Sequence, residues 1–405
     1  MFKRILNLRK DELIRGSLIL FIMINIFNLL NYVFHFTMAR MLSIEDYGIL
    51  VVLMSFVYIF SIPTEAIQAI ISRYTSKFRN NEGKIKNLFL KSLKKGLRVA
   101  LLFYIIFIPI ALFFSYFLEI DFLLMALIGL ILFAAFSVPV IRGVLQGKKR
   151  FTNLGLSMDL ESVGKIIFSV LFVYLLHSVY GAVFGLIGAV LITFFLSLIF
   201  IKDIMNQKEK KMGVNGIRSY SWPVFILLLS IILMYSLDVI IAKRFFSPEM
   251  AGKYAVASML GKMIFFGTNG IGKAMFPISS EKKKHEKRGV FKKSLIITCL
   301  LCLIAVLAFL LFPELIIKIL FGSKYLEISN IIVYTGLAFS FLSVANLIVL
   351  HKLSHDKIKK PYFMLVFVLL EIILLSLFNQ NILNFCISLT VANFFILVGS
   401  LFIKN

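Results

Sequence analysis

Long apolar runs of roughly 20 residues recur along this chain, and short basic stretches separate them. A helix rises about 1.5 Å per residue, so roughly 20 residues are enough to cross the ~30 Å hydrocarbon core of a bilayer. Lipid offers no hydrogen-bond partner to the backbone, so runs of this length predict membrane-spanning α-helices. The clearest runs cover 16–38, 96–118, 122–141, 182–201 and 294–313.

About twelve such spans can be placed, which predicts an all-α, polytopic membrane protein. The predicted helices cover 16–38, 47–72, 96–118, 121–141, 154–176, 179–201, 219–242, 252–276, 294–313, 326–349, 361–379 and 381–403. Five strongly basic loops all fall on the same side as the N-terminus: 73–98, 142–153, 202–218, 277–293 and 350–360. The positive-inside rule therefore places these loops and both termini in the cytoplasm, with the chain in the cell membrane.

The composition supports a membrane protein and argues against a nucleic-acid-binding one. Hydrophobic residues make up 60% of the chain, whereas a soluble globular chain is about half apolar. The formal net charge of +24 would favour nucleic acid in a soluble protein. Here most Lys and Arg residues lie between apolar runs, so we interpret them as determinants of topology that contact anionic headgroups.

The sequence contains an internal repeat. Residues 40–48, RMLSIEDYG, align with residues 244–252, RFFSPEMAG, and both segments join an odd-numbered helix to the next on the outer side. Each half then has six helices and starts inside, which predicts two parallel repeats. The predicted domains are an N-terminal six-helix lobe over 1–203, a cytoplasmic linker over 204–215 and a C-terminal lobe over 216–405. Ser43 and Ser247 are also suited to cap the helices that follow them.

No pattern in the sequence predicts an enzyme, a metal or a cofactor. Residues 267–274, GTNGIGKA, match most of a phosphate-binding loop, but Ala274 replaces the hydroxyl that binds Mg²⁺ and no strand precedes the segment. Close helix packing through small residues is the preferred interpretation. Cys299 and Cys302 form a C-x-x-C pattern inside an apolar run, without the further ligands that zinc needs.

One basic loop has helical periodicity of its own. Ile85, Leu88, Phe89, Leu93 and Leu97 recur at helical spacing, with lysines between them. The pattern fits an amphipathic helix at the cytoplasmic interface. It fits a helical lead-in to the third span equally well, and the sequence leaves both interpretations open.

Basic residues within the spans are the candidate substrate-binding groups, because a charge at mid-bilayer costs several kcal/mol unless it faces a cavity or a partner. Lys262 and Lys165 lie near the midplane, and Arg142 and Arg73 lie at cytoplasmic helix ends. Lys262 has no acid three or four residues away, so it is the best single candidate for a cation that lines a cavity. Lys165 follows Glu161 by four residues, so those two can instead neutralise each other.

Carboxylates within the spans are the candidates for ion coupling. Asp238 lies near the outer end of the seventh span, Glu65 toward the cytoplasmic end of the second, and Glu371 in the middle of the eleventh. Intramembrane carboxylates often take part in ion or proton pathways. Asp238 is also shallow enough to reach interfacial water, which would give it no transport role.

Three segments resemble the polysaccharide-biosynthesis flippases of the Wzx type. They are Asp238–Tyr254, Ala39–Gly48 and Arg142–Gly147. These flippases belong to the multidrug/oligosaccharidyl-lipid/polysaccharide (MOP) exporter superfamily. The resemblance implies a MATE-like fold of two six-helix lobes in a V-shaped, alternating-access arrangement. It also implies transport of a polyprenyl-(pyro)phosphate-linked oligosaccharide across the cytoplasmic membrane, for assembly of surface polysaccharide or glycan.

The partners that this resemblance implies are the lipid-linked oligosaccharide, membrane lipids and glycan-assembly enzymes, without nucleic acid. Such a substrate is anionic at its phosphate, polar at its sugar and apolar at its tail, and two midplane lysines suit it. Two alternatives stay open. An exporter of cationic drugs from the same superfamily would be expected to have a mainly acidic cavity. A non-transporting membrane assembly protein could share the hydropathy, although the repeat and the midplane charges argue against it.

Overall fold

The computed structural model describes residues 12–210, 222–281, 284–353 and 362–402, and these form α-helices, one 3₁₀-helix and no strand. The helices in chain order are α1 Glu12–Met41, α2 Ile44–Phe60, α3 Ile62–Lys77, α4 Glu82–Leu118, α5 Phe122–Gly129, α6 Ile131–Gly147, α7 Phe151–Leu176, α8 Val179–Ile199, α9 Lys202–Met205, α10 Trp222–Met234, α11 Leu237–Phe245, α12 Pro248–Glu281, α13 Lys284–Leu311, α14 Pro313–Leu320, α15 Ile332–Leu353, α16 Phe363–Leu377 and α17 Ile382–Phe402, with the 3₁₀-helix Ser323–Ile328 before α15.

The predicted membrane fold is confirmed. Nine helical segments of the described chain are long and apolar enough to cross a bilayer. The other three predicted spans correspond to α7, α12 and α16. Charged residues lower the hydropathy of two of these: Glu161 and Lys165 lie within α7, and Lys262 lies within α12. The described part of α16 is apolar but only 15 residues long.

The helices form two compact units. The first unit comprises the described residues of Met1–Met41 and Phe60–Arg218, where α1 packs on α7, α3 on α6 and α7 on α8. The second comprises those of Leu42–Ile59 and Ser219–Asn405, where α12 packs on α15, α15 on α17 and α16 on α17. In each half of the chain the second span thus packs on the fourth and the fifth on the sixth, as expected of two repeats.

The second predicted span divides between the two units. Sequence analysis placed one helix over 47–72 in the N-terminal lobe, but the chain turns at Ser61 and separates α2 from α3. Pro63 follows within the first turn of α3 and has no backbone N–H, so it cannot continue the hydrogen bonding of α2. Residues 42–59 pack with the C-terminal helices, whereas α3 packs with the N-terminal ones.

The two aligned segments of the repeat meet within the second unit. A Cβ on Gly48 would lie 2.8 Å from Gly252 Cα, and one on Gly252 would lie 2.0 Å from the Ile44 carbonyl oxygen. Only glycine permits so close an approach of α2 and α12. The Ser43 and Ser247 hydroxyls each accept a hydrogen bond from the backbone N–H three residues later, at 3.0 and 3.4 Å. The predicted capping therefore occurs at both positions.

The basic segment before the third span is a helical lead-in. Residues 82–118 form one helix, α4, of 37 residues. Its apolar side chains Ile85, Leu88 and Phe89 are buried against residues of α6 and α9, including Val144 and Ile204. The first part of the apolar face therefore packs on protein, which favours the helical lead-in.

The phosphate-loop-like segment lies inside α12. Its residues are helical and follow a helix rather than a strand. Gly272 packs against the Leu350 side chain, whereas Gly267 and Gly270 have no neighbour within 4 Å among the described atoms. Close packing through small residues therefore occurs at one of the three glycines.

Candidate functional site

The second unit contains a fully buried cluster of three ionisable side chains. Asp238 comes from α11, Lys262 from α12 and Glu371 from α16, and each is 0% exposed. Lys262 Nζ lies 3.1 Å from Asp238 Oδ1, in ion-pair contact but outside hydrogen-bond alignment. Such a pair is tolerated in a low-dielectric interior because each charge compensates the other.

A polar stripe on α12 holds Asp238 in place. The Tyr254 hydroxyl donates to Asp238 Oδ2 at 3.1 Å, and the Ser258 hydroxyl donates to the same oxygen. Tyr254, Ser258 and Lys262 are four residues apart, so they lie on one face of the helix. Sequence analysis missed Tyr254 and Ser258, and this four-residue spacing of polar residues in an apolar helix is the signal that could have found them.

The counter-charge of Lys262 comes from a neighbouring helix. The sequence has no acid within one turn of Lys262, which predicted an uncompensated cation facing a cavity. The structure corrects that prediction, because Asp238 supplies the charge from α11 and the Phe339 ring lies 5.8 Å from the ammonium. A long side chain on a helix leans toward the N-terminus of that helix, which brings Lys262 toward the depth of Asp238.

Glu371 lacks hydrogen-bond donors of the kind that contact Asp238. Within the described residues, neither of its carboxylate oxygens has a hydrogen-bond partner, although it interacts electrostatically with Asp238 and Lys262. If all three groups were ionised, the cluster would carry one negative charge in excess. A buried charge without a partner is expensive, so one further cation or one proton would complete the cluster.

In the first unit, Arg142 on α6 is held by α7. Its Nε and one Nη atom donate to the side chain and carbonyl of Ser157, at 3.3 and 2.9 Å. The same Nη atom donates to Glu161 at 2.7 Å. Glu161 is thus paired with Arg142, and the ion pair with Lys165 that its spacing allowed is not formed between these described side chains.

Lys165 makes its hydrogen bond and its ring contact with neutral groups, and the Glu161 carboxylate acts on it only electrostatically. It lies near the middle of α7, is 8% exposed and donates to the side-chain oxygen of Asn31 on α1. Its ammonium lies 4.4 Å from the centre of the Phe34 ring. Asn31 is fixed in turn by donating to the Phe27 carbonyl at 2.8 Å and to the Ser162 hydroxyl at 3.3 Å. No described carboxylate lies within ion-pair distance of Lys165.

Two predicted site residues belong to neither buried group. Arg73 and Glu65 are exposed on α3. Over the described ranges, no three His, Cys, Asp or Glu side chains are arranged to hold a metal ion. Besides Lys243 and Lys253, the charged side chains that the described fold buries are those of the Asp238 cluster in the second unit and of Arg142 and Lys165 in the first.

Solved structures with the same fold are MATE transporters. An inward-facing multidrug resistance transporter of the MOP superfamily matches with a TM-score of 0.72 and 14% identity, over 93% of both chains. An outward-facing one matches with a TM-score of 0.64 and 15% identity, over 97% of this chain and 94% of that chain. The eukaryotic MATE transporter AtDTX14 matches with a TM-score of 0.64 and 13% identity, over 98% and 97%. At such identities the likeness shows the fold alone.

A comparison with curated protein sequences gave no significant match. The family model described as polysaccharide biosynthesis protein matches residues 13–283, more than half of the 405 residues. That match and the MATE-like fold agree with the resemblance to Wzx-type flippases of the MOP superfamily. This chain therefore belongs to the polysaccharide biosynthesis protein family, whose fold here is that of a multi-pass membrane transporter.

Proposed function

We propose that this protein flips a polyprenyl-(pyro)phosphate-linked oligosaccharide from the cytoplasmic to the outer leaflet of the cell membrane, for assembly of surface polysaccharide or glycan. The family and the fold support a MOP-superfamily transporter. The observation that carries the choice of substrate is Lys165, a cation near the middle of a membrane helix that hydrogen-bonds to an amide and has no described carboxylate in ion-pair contact.

The contacts of the basic residues decide their order as phosphate-binding candidates. Lys262 and Arg142 already pair with carboxylates, so a phosphate would have to displace Asp238 or Glu161 to bind them. Lys165 would give up only an amide oxygen. Its ammonium can therefore donate charge-assisted hydrogen bonds to a phosphate at the smallest loss. Lys165 comes first, Arg142 and Lys262 support it, and exposed Arg73 is a candidate for the first contact.

The Asp238 cluster is the proposed coupling site. Glu371 and Asp238 together exceed the charge of Lys262, so the cluster can gain or lose one cation or proton during transport. Glu65, exposed on α3, is the further carboxylate proposed for this role. Coupling requires that the ion bind the two conformations of the transporter with different affinity, since equal binding shifts no equilibrium.

Flipping can be measured in proteoliposomes that contain a defined polyprenyl-pyrophosphate-linked oligosaccharide, with an impermeant lectin as the reporter of exposed sugar. We expect Lys165→Ala to slow flipping about tenfold or more, because charge-assisted hydrogen bonds to the phosphate are lost. Lys165→Arg should keep part of the activity, because the charge survives while its geometry changes. Lys91→Ala removes an exposed lysine of α4 and is the matched control.

Full flipping by Lys165→Ala would remove the phosphate-binding role of Lys165. Transport of cationic dyes in place of the lipid-linked sugar would show the drug-exporter alternative instead. Transport of neither substrate by the unmodified protein would favour a membrane assembly protein.

The proposed orientation, with both termini in the cytoplasm, has its own test. Asn80 and Gln380 are exposed positions at opposite predicted sides of the membrane. Single cysteines placed there, after replacement of the three native cysteines, should react with an impermeant thiol reagent from opposite sides. Labelling of both from the same side would refute the orientation that the basic loops predict.

A further inference from the structure

A cavity of about 510 Å³ lies at the basic-loop end of the first unit, between the residues that lead into α4 and the segment that follows α9. We propose that this cavity binds the phosphate group of a soluble phosphorylated compound, apart from the membrane sites of Lys165 and Lys262. The charges of the cavity, its fixed walls and its distance from the bilayer support this assignment.

Three cations line the cavity: Arg79, Lys208 and Lys210. Each side chain is exposed, and none lies within ion-pair distance of a described carboxylate. The one acid of the lining, Glu82, accepts from Lys148 at 2.9 Å and is neutralised by it. The cavity lining therefore has an excess of positive charge.

Hydrogen bonds hold the two sides of the cavity together. Lys86 on α4 donates to the carbonyls of Met205 and Gln207, at 2.6 and 2.9 Å. The Lys210 backbone N–H donates to the Gly83 carbonyl at 3.1 Å. The segment that carries Lys208 and Lys210 is thus fastened to the start of α4, so the cations are held at one place rather than spread along a mobile loop.

The start of α4 adds to the positive potential. The first N–H groups of a helix have no acceptor within the helix, and its dipole favours an anion there. Asn81 caps the N–H of Lys84 at 3.2 Å, which leaves the N–H groups of Glu82 and Gly83 on the cavity side without an intrahelical acceptor. Together with the cations, this donor set matches the oxygens of a phosphate or pyrophosphate.

The length of α4 separates this cavity from the bilayer. Arg98 is the last charge on α4, and most of the exposed apolar side chains of that helix follow it, from Leu101 onward. The helix starts at Glu82, sixteen residues before Arg98, and so begins about 24 Å from that point along the axis. Even a tilt of about 40° would leave some 18 Å. The headgroup layer is only about 5–8 Å thick, so the ligand comes from solution.

Calorimetry can test this proposal. The full-length protein, in nanodiscs of zwitterionic lipid, is titrated with inorganic pyrophosphate. We expect saturable binding at one site per chain that weakens about tenfold or more in Arg79→Gln with Lys208→Gln. Lys94→Gln with Lys95→Gln removes the same charge from exposed positions of α4 outside the cavity and should change the affinity little.

Absence of saturable binding would overturn the proposed binding site. Equal weakening in both double variants would also overturn it, because that result would show only diffuse electrostatic attraction. Enriching the nanodiscs in anionic phospholipid separates the two sources of phosphate. An unchanged affinity supports a soluble ligand, whereas loss of pyrophosphate binding would show that headgroups occupy the cavity and would overturn the soluble source. The readout here is pyrophosphate binding and not flipping, so failure of this proposal is distinguishable from failure of the proposed function, on which it does not depend.

Discussion

The two units use equivalent helix pairs but bury opposite charges on them. The fifth span, α7, carries Lys165, and its counterpart in the repeat, α16, carries Glu371. The cation of the first unit contacts an amide and a phenyl ring, whereas the carboxylate of the second lies beside an ion pair. The repeat thus supplies one packing scheme twice, with a buried cation on one copy of the fifth helix and a buried carboxylate on the other.

A substitution at Lys262 gives the strongest test of this difference between the two units. We expect Lys262→Met to lower the free energy of unfolding by about 3–5 kcal/mol, because it leaves Asp238 buried beside Glu371 without a counter-charge. The midpoint of thermal unfolding in detergent measures the effect. Combining Lys262→Met with Asp238→Asn should recover most of the loss. A wild-type midpoint for Lys262→Met alone would show that the ion pair does not stabilise the second unit.

The next largest effect concerns the glycines that the repeat aligns. Gly252→Ala places a methyl group against the Ile44 backbone, and we expect it to cost about 1–3 kcal/mol, the range for overpacking. A Cβ added at Gly188 would meet no described atom of another residue within 4 Å outside its own helix turn, so Gly188→Ala in α8 should be neutral or slightly stabilising. Thermal unfolding of both variants tests whether the contact is as close as described; equal midpoints would contradict it.

The substitution Glu371→Gln tests the role of the buried carboxylate in the second unit. The amide keeps the size of the side chain and removes a buried charge without donors, so stability should hold or rise by up to about 1–2 kcal/mol. If the cluster couples transport to an ion, the pH dependence of flipping should flatten in this variant. A pH profile identical to that of the unmodified protein would remove Glu371 from coupling.

The smallest effect lies outside the buried clusters. Arg150 hydrogen-bonds Asp203 and lowers the pKa of that carboxyl. A lowered pKa in the folded state adds stability above the unfolded pKa of about 3.9, and the contribution is lost as pH falls through the folded value. Because this pair is partly exposed, we expect Asp203→Asn to cost less than about 1 kcal/mol at pH 7 and progressively less as the pH falls below about 3.9. Glu119→Gln, at an exposed carboxylate, is the control.

Sequence periodicity predicted the membrane fold, the spans and the capping serines because each depends on neighbours along the chain. It did not predict the partner of Lys262, since Asp238 lies on another helix and a search three or four residues away cannot reach it. Nor did periodicity decide whether the apolar face of α4 packs on lipid or on protein, because both accept apolar side chains.

The break in the second span was missed for a different reason. Pro63 was visible in the sequence, but proline is tolerated in the first turn of a helix, so its presence alone did not divide the run. Only the tertiary packing showed that the halves of this span belong to different units. Among the candidate site residues, depth and charge along the sequence select Lys165, Lys262, Arg142, Asp238 and Glu371, whereas the order among them depends on contacts that only the fold supplies.

The grouping of α2 with the C-terminal helices has a consequence for biosynthesis. A ribosome makes Gly48 more than 200 residues before it makes Gly252, the residue that Gly48 touches. At about 5–20 residues per second, α2 would wait roughly 10–40 s in the membrane for α12. The second unit cannot be completed from the C-terminal half alone, because one of its helices is synthesised with the first.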